Sequence, residues 1–85
     1  MPNIVLYASA YCSYCRRARA LLDSKGAVYT VLDVNRDPRL WREMAERTGR
    51  DTVPQIFIGN RHVGGCDDLF ALDRRGELDS FLKNS

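Results

Sequence analysis

Cys12-Ser13-Tyr14-Cys15 lies between a short apolar run, Ile4 to Ala8, and a helix-forming run, Arg16 to Leu22. The two cysteines therefore fall at a strand-to-helix junction, with two residues between them. A helix N-terminus presents unpaired N–H groups and the positive end of the helix dipole to whatever occupies it. A thiol held there ionises more readily, and the thiolate is both the nucleophile and the metal ligand. This one segment restricts the chain to folds in which a strand leads directly into a helix. It also restricts the chemistry to thiol redox reactions or metal binding.

The remaining pattern extends that start into an α/β fold. Ile4 to Ala8 reads as a strand buried on both faces. From Ser13 the pattern is helical, with Ala18, Leu21 and Leu22 on one face and Gly26 as the stop. Val28 to Val34, with its β-branched residues and Tyr29, is a second strand. Asp37 and Pro38 give an N-cap and a proline at the first helical position, and Leu40, Trp41, Met44 and Ala45 form that helix's apolar face up to Gly49. Pro54 to Ile58 and Arg61 to Gly64 form a hairpin around Gly59-Asn60. Asp67-Asp68 opens a last helix, Gly76 interrupts it, and Leu78 to Leu82 completes the pattern. The order is β-α-β-α-β-β-α, which predicts a mixed four-stranded sheet flanked by helices. The first β-α-β unit makes two strands parallel and the hairpin adds antiparallel ones. At 85 residues the chain is expected to be a single domain, 1–85, burying roughly 60% of its unfolded surface.

Composition removes several classes of partner. Thirteen basic against eleven acidic residues leave a net charge of +2, too small for strong electrostatic selection. Arg16-Arg17-x-Arg19 reads as a solvated helix face, since no basic stripe with interleaved aromatics accompanies it; no nucleic acid partner is expected. Met1-Pro2-Asn3 has neither the basic nor the apolar region of a signal peptide, and no apolar run spans a bilayer. The expectation is a soluble cytoplasmic protein with no membrane partner. Three cysteines are an odd number for a secreted disulfide scaffold. In a reducing compartment a Cys-x-x-Cys pair is catalytic or metal-binding more often than structural.

Beside a β-α-β pattern, Cys12-x-x-Cys15 reads as a thioredoxin-like redox motif, with Cys12 attacking and Cys15 one turn further in. Three segments together then carry a resemblance: Tyr11-Cys12-Ser13-Tyr14-Cys15, Thr52-Val53-Pro54-Gln55-Ile56-Phe57-Ile58, and Gly64-Gly65-Cys66-Asp67-Asp68-Leu69. In this order and spacing, across essentially the whole chain, they resemble a glutaredoxin of the short bacterial dithiol type, in the thioredoxin superfamily. The resemblance implies a glutathione-dependent thiol-disulfide oxidoreductase with Cys12 and Cys15 catalytic, serving electron transport and cell redox homeostasis. Glutathione would be the co-substrate and no metal would be required. Disulfide-bonded and glutathionylated proteins would be the partners, and the protein would be a monomer.

The same resemblance assigns the glutathione site. It implies a cis bond before Pro54, with the backbone of Val53 turned toward an extended peptide-like ligand and Thr52 beside it. Gly65, Cys66 and Asp67, after Gly64, correspond to the family's site for the γ-glutamyl end: glycine permits close approach, helix N–H groups suit a carboxylate, and Asp67 suits the ammonium. Tyr14 would pack on the ligand. Three positions depart from the common family pattern: Ser13 replaces proline, Ser9 a lysine and Asp51 an arginine. Arg50 and Arg42 are the candidates to supply the missing positive charge. Ser13 also leaves an alternative function open, a glutathione-ligated [2Fe–2S] carrier or sensor working as a dimer. A protein-only redox partner is disfavoured because Tyr11 and Ser13-Tyr14 stand where thioredoxins carry Trp and Gly-Pro. Cys12, Cys15, His62 and Cys66 make a nominal Cys₃His set, but the pairs lie far apart in sequence and zinc would silence the nucleophile. From the residues alone, Cys66 reads as a small buried residue, His62 as an exposed strand residue, and Trp41 and Phe57 as core.

Overall fold

The computed structural model describes residues 2–83, and its order is β1 (Ile4–Ala8), α1 (Ser13–Ser24), β2 (Thr30–Asp33), α2 (Pro38–Thr48), β3 (Gln55–Ile58), β4 (Arg61–Gly64), α3 (Cys66–Arg74) and α4 (Leu78–Lys83). The sheet runs β2-β1-β3-β4, with β1 parallel to β2 and antiparallel to β3. The mixed four-stranded sheet is thus the one expected, with eight elements rather than seven because the segment after Gly76 forms its own helix. Gly76 takes φ +75°, a turn that an L side chain resists.

The pleat of β1 sorts the core onto two faces. Ile4, Leu6 and Ala8 point to one side, where Cys15, Ala18 and Leu22 of α1, Leu69 and Leu72 of α3, and Leu78 and Leu82 of α4 meet Ile56 and Ile58. Each fully buried aliphatic side chain there contributes about 1.5–3 kcal/mol. On the other side Tyr7 packs with Val34, Met44 and Phe57 beneath α2. That face is docked partly by polar contacts. The Tyr7 hydroxyl donates to Glu43 Oε2 at 2.5 Å and accepts from Arg47 Nη1 at 2.8 Å, while the Arg47 guanidinium lies 3.9 Å from the Phe57 ring centroid. Lys25, at the end of α1, pairs with Asp73 at 2.9 Å and Asp79 at 3.1 Å, tying α1 to α3 and α4.

Several local expectations change. Val28 and Tyr29 lie outside β2, with Val28 79% exposed; Pro54 precedes β3; and α3 starts at Cys66, with Gly65 as N-cap. Trp41 is not core: it sits at 37% exposure because Met44 is the residue of α2 that reaches the sheet. Phe57 is buried as expected. The N-terminus of α2 follows the sequence signal closely, with Asp37 Oδ1 accepting from the Arg39 N–H at 3.0 Å, Pro38 in the first turn and Gly49 closing the helix at φ +70°. No helix among the described residues is long and apolar enough to cross a membrane.

Candidate active site

The junction between β1 and α1 turns Cys12 into the helix N-cap. Its φ and ψ are extended, and its sulfur accepts the Cys15 N–H at 3.2 Å. A sulfur therefore takes the place that a Ser or Asp oxygen usually fills, satisfying one of the orphan donors of the first turn. Cys12 is half-buried, and its Sγ lies 3.7 Å from the Val53 carbonyl oxygen, a contact linking two segments far apart in sequence. Cys15, one turn further in, is only 2% exposed. Burial, and then the neighbouring Cys12 sulfur, push its thiol up from an ordinary 9.0 to about 12. The two cysteines of one motif thus sit in unlike environments, one at the surface of a helix end and one inside the core. Cys12, Cys15 and Cys66 are all free thiols.

Beside this junction a cleft of about 350 Å³ is lined by Tyr14, Arg50, Thr52, Val53, Pro54 and Gln55 from one direction, and by Gly65, Cys66, Asp67 and Asp68 from the other. That volume lies at the lower end of the range for small-molecule sites, roughly 300–1,000 Å³. The Val53–Pro54 bond is cis, as the resemblance implies. Across the cleft Gly65 comes so close that a Cβ on it would stand 3.4 Å from the Pro54 carbonyl oxygen. Gly64, at φ +121°, is more restricted still, because a Cβ there would overlap the Asp68 carboxylate.

Tyr14, Thr52, Val53, Pro54, Gly65, Cys66 and Asp67, named from the sequence as one ligand site, therefore border a single cleft. Cys12 adjoins it through Val53 and Cys15 lies behind Cys12. Of the two arginines weighed as replacement charges, Arg50 is in the lining and Arg42 is not. Cys66 is buried, as read, and burial pushes its thiol up while Arg17 opposes the shift.

Two positions beside the cleft make contacts that the sequence reading did not anticipate. Asp68 closes the α3 N-terminus by accepting the Gly65 N–H at 2.9 Å, and it pairs with Arg50 at 3.0 Å. The first of these contacts, then Arg50, holds its carboxyl below the usual range. Only half of a capping box is present, because Gly65 has no side chain to accept the N3 N–H, so the sequence carries no full cap signal there. The second is His62, half-buried rather than exposed. Its ring stacks on Phe57 with centroids 5.0 Å apart, and its Nε2 lies 2.7 Å from Gln55 Oε1. Burial first, and then the Arg50 charge, lower its pKa from 6.5, so the ring is neutral at pH 7. No sequence signal pointed to its partner, because the contact depends on the register of the hairpin. Among the described residues no group of three or more His, Cys, Asp or Glu is arranged to hold a metal ion.

Comparison with known proteins agrees with this geometry. The family model described as Glutaredoxin matches residues 4–63. Glutaredoxin 3 of Escherichia coli (strain K12) is 52% identical over 83 residues, covering 98% of this chain and all of that protein. The solution structure of glutaredoxin from Brucella melitensis is 54% identical, with a TM-score of 0.87 over 98% of this chain and 90% of that one. A buckwheat glutaredoxin crystallised as a glutathione complex is 33% identical, with a TM-score of 0.89 over 95% of this chain and 76% of that one. With a thiol pair at the start of α1 and a thioredoxin-like sheet behind it, the chain belongs to the glutaredoxin family of thiol-disulfide oxidoreductases.

Proposed function

We propose that this protein uses glutathione to reduce protein disulfides and glutathione mixed disulfides, with Cys12 as the nucleophile and Cys15 as the resolving thiol. The observation that carries the reading is the contrast within the pair: Cys12 caps α1 beside the cleft, while Cys15 is buried and held protonated. In the monothiol branch the Cys12 thiolate attacks the glutathionyl sulfur of a protein mixed disulfide. The S–S bond breaks, the protein leaves as a thiolate that takes up a proton, and Cys12 carries the glutathionyl group. A second glutathione thiolate attacks that sulfur, forming glutathione disulfide and restoring the Cys12 thiolate. In the dithiol branch Cys12 attacks a protein disulfide and joins one of its sulfurs. Cys15 then loses its proton and attacks Cys12, releasing the second protein thiol and forming a Cys12–Cys15 disulfide. Two glutathione molecules return this disulfide to the dithiol and leave as glutathione disulfide.

The cleft supports glutathione as the donor. It has the size for a tripeptide, and the Thr52–Pro54 backbone offers an edge for peptide-like pairing. Arg50 offers positive charge to a terminal carboxylate, the α3 N-terminus offers N–H groups to the γ-glutamyl carboxylate, and Asp67 offers its carboxylate to the ammonium. Tyr14 is half-exposed at the rim, available to stack on the ligand. The test is a glutathione-coupled assay on two substrates. Cys12→Ser should lose both activities, while Cys15→Ser should keep deglutathionylation and lose most protein-disulfide reduction. Activity retained by Cys12→Ser would overturn the assignment.

A further inference from the structure

Gln55 is the one amide or charged residue that is buried among the described residues, at 1% exposure, and it directly follows Pro54 at the back of the cleft. A buried amide has to satisfy both of its ends. Its Nε2 donates to the Thr52 carbonyl oxygen at 3.0 Å and lies 3.4 Å from Thr52 Oγ1. A carbonyl oxygen only accepts, so the nitrogen end is committed to Thr52. The Oε1 end must then accept, and its partner is His62 Nε2 at 2.7 Å. The proton of the neutral ring is thereby assigned to Nε2.

The ring itself is held from the sheet. His62 pairs with Phe57 across the β3–β4 ladder and stacks on it, with the planes 30° apart. Thr52 and Val53 lie before β3 begins, outside the sheet, yet they carry the edge of the cleft. Val53 packs against both faces of the core and meets Cys12, whereas the side-chain hydrogen bond that reaches the Thr52 carbonyl comes from Gln55 at the start of β3, whose other end is held by His62 of β4. We infer that His62 is a positioning residue: by donating to Gln55 it holds the Thr52–Val53 edge in the geometry that binds glutathione. The inference rests on the functional reading above and adds a residue that does not itself line the cleft.

Two substitutions separate the donor from the ring. His62→Phe keeps a ring to stack on Phe57 and removes the donor; His62→Gln removes the ring and keeps a side-chain N–H of similar reach. The net worth of one hydrogen bond translates into about a three- to tenfold rise in KM for glutathione in His62→Phe, with kcat within about twofold. His62→Gln should restore KM to within about twofold of wild type. A purely structural role would lower thermal stability in both variants without this split in KM. An unchanged KM in a folded His62→Phe overturns the inference, as does a folded His62→Gln as impaired as His62→Phe. The chain contains a single histidine, so its imidazole signals in a ¹⁵N–¹H spectrum of the wild type need no assignment. The neutral ring should appear as the Nε2–H tautomer, and its resonance should move when glutathione is added. The Nδ1–H tautomer overturns the inference even if His62→Phe fails to fold. A wild-type protein with no saturable dependence on glutathione overturns the functional reading as well, whereas saturable wild-type kinetics with an unaffected His62→Phe overturn only the role of His62.

Discussion

Cys15 should make the fold sensitive to alkali. Its thiol ionises near 9.0 when unfolded and near 12 in the folded protein, because burial among the aliphatic residues around α1 disfavours the thiolate. Below pH 9 both states hold the proton and the stabilisation is fully present. As pH rises past 9 the unfolded chain gives up its proton while the folded one retains it, so stability falls until the folded value near 12 is reached. The slope is about 1.4 kcal/mol per pH unit, so about 1.5 units above the unfolded value the loss is about 2 kcal/mol. With a urea m-value of about 1–1.5 kcal/mol per molar for a chain of this size, the midpoint should move down by roughly 1.5–2 M. Tyr7 and Cys66 also have raised values and erode stability in the same direction, so the measurement must be a difference. Reduced wild type and Cys15→Ala would be unfolded in urea from about pH 8 to pH 10.5. Cys15→Ala starts from an offset due to lost packing, but it should lose about 2 kcal/mol less over that range. Parallel pH profiles for the two proteins would refute the claim that burial holds Cys15 as a thiol. The same shift keeps Cys15 protonated at pH 7, so that it does not compete with Cys12 for substrate in the proposed cycle.

Two further substitutions probe the rim of the cleft. Gly64→Ala would force a Cβ into the Asp68 carboxylate at a φ of +121°, and should cost about 1–3 kcal/mol in urea unfolding; a wild-type midpoint would show that the turn relaxes freely. Arg50→Gln removes the Arg50–Asp68 pair, which is half-exposed and contributes at most about 1 kcal/mol to stability, yet it should raise KM for glutathione severalfold. If Arg42→Gln raised KM and Arg50→Gln did not, the carboxylate contact would belong to α2 instead.

While the segment after Gly76 formed a helix of its own, the sequence alone determined the order of strands and helices as far as α3, the Cys-x-x-Cys junction, the cap at Asp37, the helix stop at Gly49 and the hairpin around Gly59. Each of these follows from residues within a few positions of one another, through periodicity, capping or turn chemistry. The family motifs extended that reading to the residues that border the cleft. Trp41 shows where local reasoning ends. It lies on the apolar stripe of α2, but a short helix docked partly through Tyr7, Glu43 and Arg47 needs little of that stripe buried. The tertiary structure alone decided the contrast between Cys12 and Cys15, because desolvation depends on what surrounds a sulfur rather than on its spacing. It also selected Arg50 over Arg42 and joined His62 to Thr52 through Gln55. Those contacts need a sheet register and a loop placement, and both are set by packing between segments distant in the chain.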